Sequence, residues 1–200
     1  HNQQLDQREA TTPTATPAPT VTPPPGGGTI WINEFHYDNE GSDTQEGIEI
    51  AGPAGTDVSA MSIVLYNGNG STSYDTVNLT GTIPDQENGF GTLWFFVEGL
   101  QNGSPDGMAL VADDNSVIQF LSYEGEMTAV GGPAGGMTST NVSVEETSAT
   151  PTGLSLQLQG EGTQYSDFTW AAGVSETRGE INEGQSFPAQ LAPTEGFILY

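Results

Sequence analysis

Carboxylates dominate the groups in this chain that could do chemistry. The 200 residues hold 26 Asp and Glu, two Lys and Arg, two His and no Cys, for a formal net charge of -24. The densest run of oxygen donors is Asp38-Asn39-Glu40-Gly41-Ser42-Asp43-Thr44-Gln45-Glu46. Calcium takes roughly six to eight oxygen ligands from loops of this kind. Asp38, Asp43 and Glu46 are therefore the expected Ca²⁺ ligands, and Gly41 permits the tight turn between them. The spacing is not that of an EF-hand, whose glycine and terminal Glu fall elsewhere. The same residues also suit an acidic hairpin loop in which Asp38 and Asn39 bond their own backbone.

The inventory for catalysis is short. A Ser-His-acid triad needs a histidine beside an activated serine. Outside the first few residues there is only His36, and no Gly-x-Ser-x-Gly elbow accompanies it. His36 sits in an alternating segment between Glu34 and Asp38 and reads as a packed or rim histidine. Paired carboxylates hydrolyse glycosides, but among 26 acids neighbours arise by chance. No catalytic or cofactor-binding residue is assigned, and the chain is expected not to be an enzyme.

The charge balance also limits partners. Nucleic-acid binding depends on Lys and Arg neutralising phosphates, and this chain has only Arg8 and Arg178. Anionic lipid is disfavoured for the same reason. Divalent cations and cationic surfaces fit the charge, and the acidity also serves solubility. No apolar stretch is long enough to span a bilayer. Without cysteine, disulfides and thiolate zinc sites are excluded. A chain that starts at His1 reads as a processed, soluble product.

Three segments must position these groups. Residues 1–28 form a stalk. Thr11 to Pro25 reads TTPTATPAPTVTPPP and favours an extended polyproline II path before Gly26-Gly27-Gly28. Thr/Pro stalks of this composition are open to O-glycosylation outside cells. Residues 29–187 read as all-β. Thr29 to Tyr37 alternates, with Trp31, Asn33, Phe35 and Tyr37 on one side and Ile30, Ile32, Glu34 and His36 on the other. Glu46–Ala51 is a short strand with Ile48 and Ile50 on one face. Met61–Tyr66 and Gly91–Val97 are apolar runs, and Leu93-Trp94-Phe95-Phe96-Val97 predicts a central strand. Met108–Val111 and Ser116–Tyr123 flank a hairpin turn at Ala112-Asp113-Asp114-Asn115. Leu154, Leu156 and Leu158 predict a strand with one face buried. Trp31, Trp94 and Trp170 lie in apolar or strand contexts and are expected in the core rather than on a carbohydrate platform. Short strands punctuated by Gly, Pro, Asn and Asp mean a sandwich or barrel.

An ordered series of segments resembles bacterial lamin-tail domains. Ile32 to Asn39 is similar to their opening strand, Glu46 to Ile50 to the second, and Asp57 to Ser59 with Ile63 to Asn67 to the third. Gly103 to Val111, Phe120 to Gly125, Ser155 to Leu158, Asp167 to Trp170 and Gly179 to Gln185 continue the series. The variant it resembles stands at the front of secreted bacterial nucleases and other surface proteins. The resemblance implies an immunoglobulin-like β-sandwich with an accessory role in adhesion, anchoring or presentation of a neighbouring domain.

The expected function is a non-catalytic, secreted or cell-surface structural or adhesion module. It would be a self-assembling fibre subunit if each stalk lies on the next subunit, since head-to-tail contacts that do not close make filaments. The alternative is the accessory domain of a secreted nuclease or other hydrolase. Residues 188–200 form a C-terminal extension ending in the apolar run Phe197-Ile198-Leu199-Tyr200. That run either packs on its own domain as a last strand or adds to a neighbouring subunit. Asn-x-Ser/Thr sequons stand at Asn69, Asn78, Asn102 and Asn141, most of them expected to be unmodified.

Overall fold

A computed structural model describes residues 30–189 as a sandwich of two β-sheets. The stalk at 1–28, Thr29 and residues 190–200 lie outside the described residues. The first sheet contains β1 (Trp31–His36), β2 (Gly47–Pro53), β5 (Phe90–Phe96), β9 (Leu154–Glu161) and β10 (Phe168–Ser175), in the order β10-β9-β1-β2-β5. A short strand, β11 (Gln185–Ser186), pairs in parallel with β9. The second sheet contains β3 (Ser62–Asn67), β4 (Thr72–Asn78), β6 (Asp106–Val111), β7 (Val117–Tyr123) and β8 (Thr140–Asn141), in the order β4-β3-β6-β7-β8. The all-β, immunoglobulin-like sandwich expected from the sequence is the fold.

The core between the sheets takes Ile32, Phe35, Ile48, Ile50 and Leu156 from the first sheet and Ile63, Leu65, Met108, Leu110 and Leu121 from the second. Fully burying an aliphatic side chain of this size contributes about 1.5–3 kcal/mol. Both outer faces are covered as well. Met127, Ala129 and Ala134 lie over Val64, Tyr66 and Phe120 on the second sheet. Trp31, Phe90, Phe168 and Phe187 pack together as a separate aromatic cluster on the first, with Phe187 stacked on Phe90 at 5.0 Å. Double coverage explains why β1 and β6 are buried along their whole length.

Three strand expectations change. Simple alternation in β1 fails because Ile32 pairs with Ile50 and Glu34 with the next residue back, Glu49. Asn33 is the extra residue of a β-bulge, which inverts the side-chain phase beyond it. Ile30, Ile32, Phe35 and Tyr37 therefore share the main core. Trp31 joins the aromatic cluster, while Glu34 and His36 are buried away from that core. The run Leu93 to Val97 is no central strand: among the described residues β5 pairs with β2 alone and forms an edge, with Phe96 71% exposed. Its apolar surface is used by Trp94 against Phe96 and under Arg178, whose guanidinium lies 5.3 Å from the indole centroid. In β9, Leu156 and Leu158 are buried, but so are Ser155 and Gln157, so both faces are covered.

The turn at 112–115 forms as expected. The Ala112 and Ser116 backbones pair at 2.9 Å, and Asn115 adopts a left-handed φ of 66°. One glycine is required by close approach: a Cβ on Gly68 would stand 1.7 Å from the Pro105 carbonyl oxygen. Strand β4 has no strong sequence signal, being Thr-Ser-Tyr-Asp-Thr-Val-Asn and mostly exposed. Pairing along β3, with Tyr74 and Val77 against the core, holds it in place.

Candidate functional site at the acidic strand ends

Chemistry-bearing residues collect where β1 leads into the loop before β2. The bulge at Asn33 sets the phase that turns His36 away from the core. Its ring is buried, with Nδ1 2.8 Å from Glu146 Oε1 and Nε2 3.1 Å from Asn39 Oδ1. The Asn39 amide has a fixed orientation. Its nitrogen donates to the Glu40 and Ser42 carbonyls at 2.9 and 3.1 Å, and its oxygen accepts from Thr44 N at 3.0 Å. Both ring nitrogens of His36 thus face acceptors, which is the environment of an imidazolium. Burial acts to lower the His36 pKa, but the hydrogen bond and charge of Glu146, with Asn39, outweigh it and raise the value above 6.5.

Glu146 is itself held. Its Oε2 accepts from Tyr37 N at 2.7 Å and Asp38 N at 3.2 Å. Its backbone N–H donates to the Tyr37 hydroxyl at 2.8 Å, and that hydroxyl donates to Glu124 Oε1 at 2.9 Å. Burial pushes the Tyr37 phenol far above its ordinary value. In an NMR titration the His36 ring is expected to titrate above 6.5 in the intact protein, and Glu146→Gln is expected to bring it down. An unchanged titration in that variant would mean Glu146 does not hold the proton.

The three expected calcium ligands separate in their roles. Asp38 is buried, and its pKa is raised by burial, then by the charge and hydrogen bond of Asp43. Asp43 is exposed and accepts from Asn39 N at 3.2 Å and Asn102 Nδ2 at 3.3 Å. Glu46 turns to the following loop, where Oε2 accepts from Gly99 N at 2.8 Å. Burial raises the Glu46 pKa too, against the Gly99 bond and with a contribution from Asp43. The structure brings Asp38 and Asp43 together and does not place Glu46 with them as a ligand set. Among the described residues, no group of three or more acids and histidines is placed to hold a metal ion. Of the two residues expected to bond their own backbone in an acidic hairpin, Asn39 does so, at the Glu40 and Ser42 carbonyls and Thr44 N, while the Asp38 carboxyl faces Asp43.

More acids complete this end. Asp106 accepts from Gly68 N at 2.9 Å and Gly103 N at 2.8 Å, stapling two loops, and burial raises its pKa. Burial also raises Glu124, which lines a shallow cavity of about 400 Å³ with Gly125, Asn141, Ser143, Val144 and Glu145. The arrangement can attract cations or a cationic surface. It presents no activated nucleophile, and His36 is sealed beneath it.

A second polar cluster was not foreseen in the sequence. Glu34 and Glu49 lie buried side by side under the segment at 177–187. Glu34 Oε1 accepts from Ser155 Oγ at 2.7 Å, Gln157 Nε2 at 3.3 Å and Thr177 N at 3.0 Å. Its Oε2 accepts from Thr177 Oγ1 at 2.6 Å and Arg178 N at 3.1 Å. Glu49 accepts from Asn33 Nδ2 at 2.9 Å and Gly179 N at 2.5 Å. Burial, then the charge of Glu34, pushes the Glu49 pKa up to about 8. Asn182 closes the cluster by donating to the Asn33 and Leu158 carbonyls, each at 3.0 Å. The available signal was a carboxylate between two isoleucines, Ile48-Glu49-Ile50, which needs a polar cover if both faces are buried.

Comparison with protein-family models finds no match, and comparison with curated proteins and with solved structures finds none either.

Proposed function

We propose that the protein is a non-catalytic structural or adhesion module of the extracellular or cell-surface space. The observation that carries this reading is how the reactive side chains are spent. Both nitrogens of His36, both oxygens of Glu146 and both oxygens of Glu34 are consumed by hydrogen bonds that hold loops onto the sandwich. The polar groups build a rigid platform, and the acidic surface favours solubility and cationic partners. The segments similar to lamin-tail domains fall on β1, β2, β3, β6, β7, β9 and β10 and on the segment covering Glu34 and Glu49. That placement supports a lamin-tail type of sandwich as the closer description. It equally favours the reading as an accessory domain of a secreted hydrolase, which sequencing beyond Tyr200 in the gene tests directly.

The stalk then supplies reach or assembly. Light scattering of the full chain and of a chain lacking residues 1–28 separates the two. Polymers that disappear on deletion are the result expected of a fibre subunit. Monomers in both cases would leave a tethered module and remove the fibre reading.

A further inference from the structure

Unpaired N–H and C=O groups along a sheet edge template another strand, so monomeric β proteins blunt their edges with charge, proline, bulges or short strands. Among the described residues, the outer strands of the two sheets are β10, β5, β4 and β8. Three of them are blunted. The register of β10 shifts between Ala171 and Val174, β4 pairs irregularly around Tyr74 and exposes Asp75, and β8 is two residues long. Strand β5 has none of these devices. It pairs with β2 without a shift from Phe96 opposite Gly47 to Phe90 opposite Pro53. No charged residue or proline occurs from Phe90 to Val97.

Part of the β5 edge is already covered. Gln86 N and Glu87 N donate to the Phe90 carbonyl at 2.9 and 3.0 Å, and Gln86 Oε1 accepts from Thr92 N at 2.8 Å. The open part follows. Val97 N donates to the Glu46 carbonyl on the β2 side, and backbone groups alternate in direction along a strand. Trp94 and Phe96 therefore point their N–H and C=O away from β2, as Thr92 does, and no strand lies beside them among the described residues. Leu93, Trp94 and Phe95 are half-buried, and Phe96 is 71% exposed. The residue opposite Phe96 is Gly47, which has no side chain to cover the ring.

We infer that β5 is a homotypic docking edge, on which Leu93 to Val97 pairs antiparallel with the same segment of a second copy of this chain across a two-fold axis. A register with Phe95 opposite Phe95 sets Trp94 against Phe96 of the second copy. In both such pairs the outward N–H and C=O groups exchange their hydrogen bonds, and the aromatic side chains meet as cross-strand neighbours. The same register puts Glu98 beside Thr92 of the second copy rather than beside another Glu98. Charge favours this occupant. On a chain of net charge -24 the strip from Phe90 to Val97 is neutral, so two copies meet there without opposed carboxylates. A cationic strand would find no counter-charge within the strip. The remaining repulsion between copies is long-range and is screened beyond about 10 Å at 0.1 M salt. The contact is isologous and closes as a dimer, which separates it from any filament built by the stalk.

Sedimentation velocity of the full chain over a concentration series tests the inference. A dimer is expected, tightening about tenfold from low to high salt as the repulsion is screened. In the dimer the Trp94 and Phe96 amides are expected to exchange with deuterium more slowly than in the dilute monomer. Phe96→Pro is expected to leave a folded monomer, because the N–H it removes points away from β2. A monomer at every concentration would overturn the inference. So would a dimer that leaves those two amides unprotected, or one that weakens with salt. Association kept in Phe96→Pro but lost on deleting residues 1–28 would belong to the stalk, overturning this contact while supporting the fibre reading. Protection of the same amides only by an alternating Lys-Val peptide, weakening with salt, would assign the edge to a cationic partner and overturn the inference as well.

Discussion

Acidification from about pH 8 to about pH 5 is expected to raise the thermal midpoint of this protein, the reverse of the usual acid sensitivity. Glu49 is the largest contributor for which a value is resolved. Its folded pKa is about 8 against an ordinary 4.5. Between those values the folded state holds a proton that the unfolded state has released, so stability falls as pH rises through the window. Asp38, Glu46, Asp106 and Glu124 are raised for the same cause, burial, and act in the same direction. His36 adds to the trend. Its folded pKa lies above 6.5, so its stabilisation is fully present below that value and is lost as pH rises through the folded one. Protonation also relieves the repulsion of a chain at -24. Asp57 and Asp114 shift the other way but are fully exposed and do not offset this. Scanning calorimetry at constant ionic strength checks the trend, and Glu49→Gln should flatten the slope. A midpoint that climbs from pH 5 to 8 would sink the assignment of Glu49 as a buried, protonated acid.

Glu34→Ala should be the most damaging single change in the polar cluster. It strands two hydroxyl donors, an amide and two backbone N–H groups, those of Thr177 and Arg178. The hydroxyls can rotate toward other acceptors, but the backbone groups cannot. Each buried donor left unpaired costs about 1–3 kcal/mol, so a loss of about 4 kcal/mol is expected in urea unfolding. Glu34→Gln should lose about half as much, because its amide oxygen still accepts at the Oε1 position, and at the Oε2 position the Thr177 hydroxyl can turn to accept while the Arg178 N–H faces a donor. The segment at 177–187 should also become susceptible to proteolysis, since Glu34 and Glu49 anchor its backbone at Thr177, Arg178 and Gly179. A loss below about 1 kcal/mol for Glu34→Ala would show that water, not this segment, satisfies the carboxylate.

The sequence alone determined the fold class, most of the strands and the hairpin at 112–115. These depend on local signals: alternation, apolar runs and turn residues act within a few positions of themselves. It also determined the scarcity of cations and thiols, which follows from composition. Tertiary structure decided the rest. The bulge at Asn33 is a mismatch with β2 and has no meaning until the two strands pair, yet it decides that Trp31 leaves the main core and that Glu34 and His36 face polar partners. The edge position of β5 depends on which strands lie beside it, because an apolar run is equally suited to the middle or the rim until coverage is known. Glu46 is drawn to Gly99 rather than to Asp38 and Asp43 by a loop more than fifty residues away in the chain. The fates of Glu34, Glu49 and His36 depend on partners at Thr177, Gly179 and Glu146. Periodicity reports a residue's own element. A buried charge is decided by what covers it, and here the covers come from distant parts of the chain.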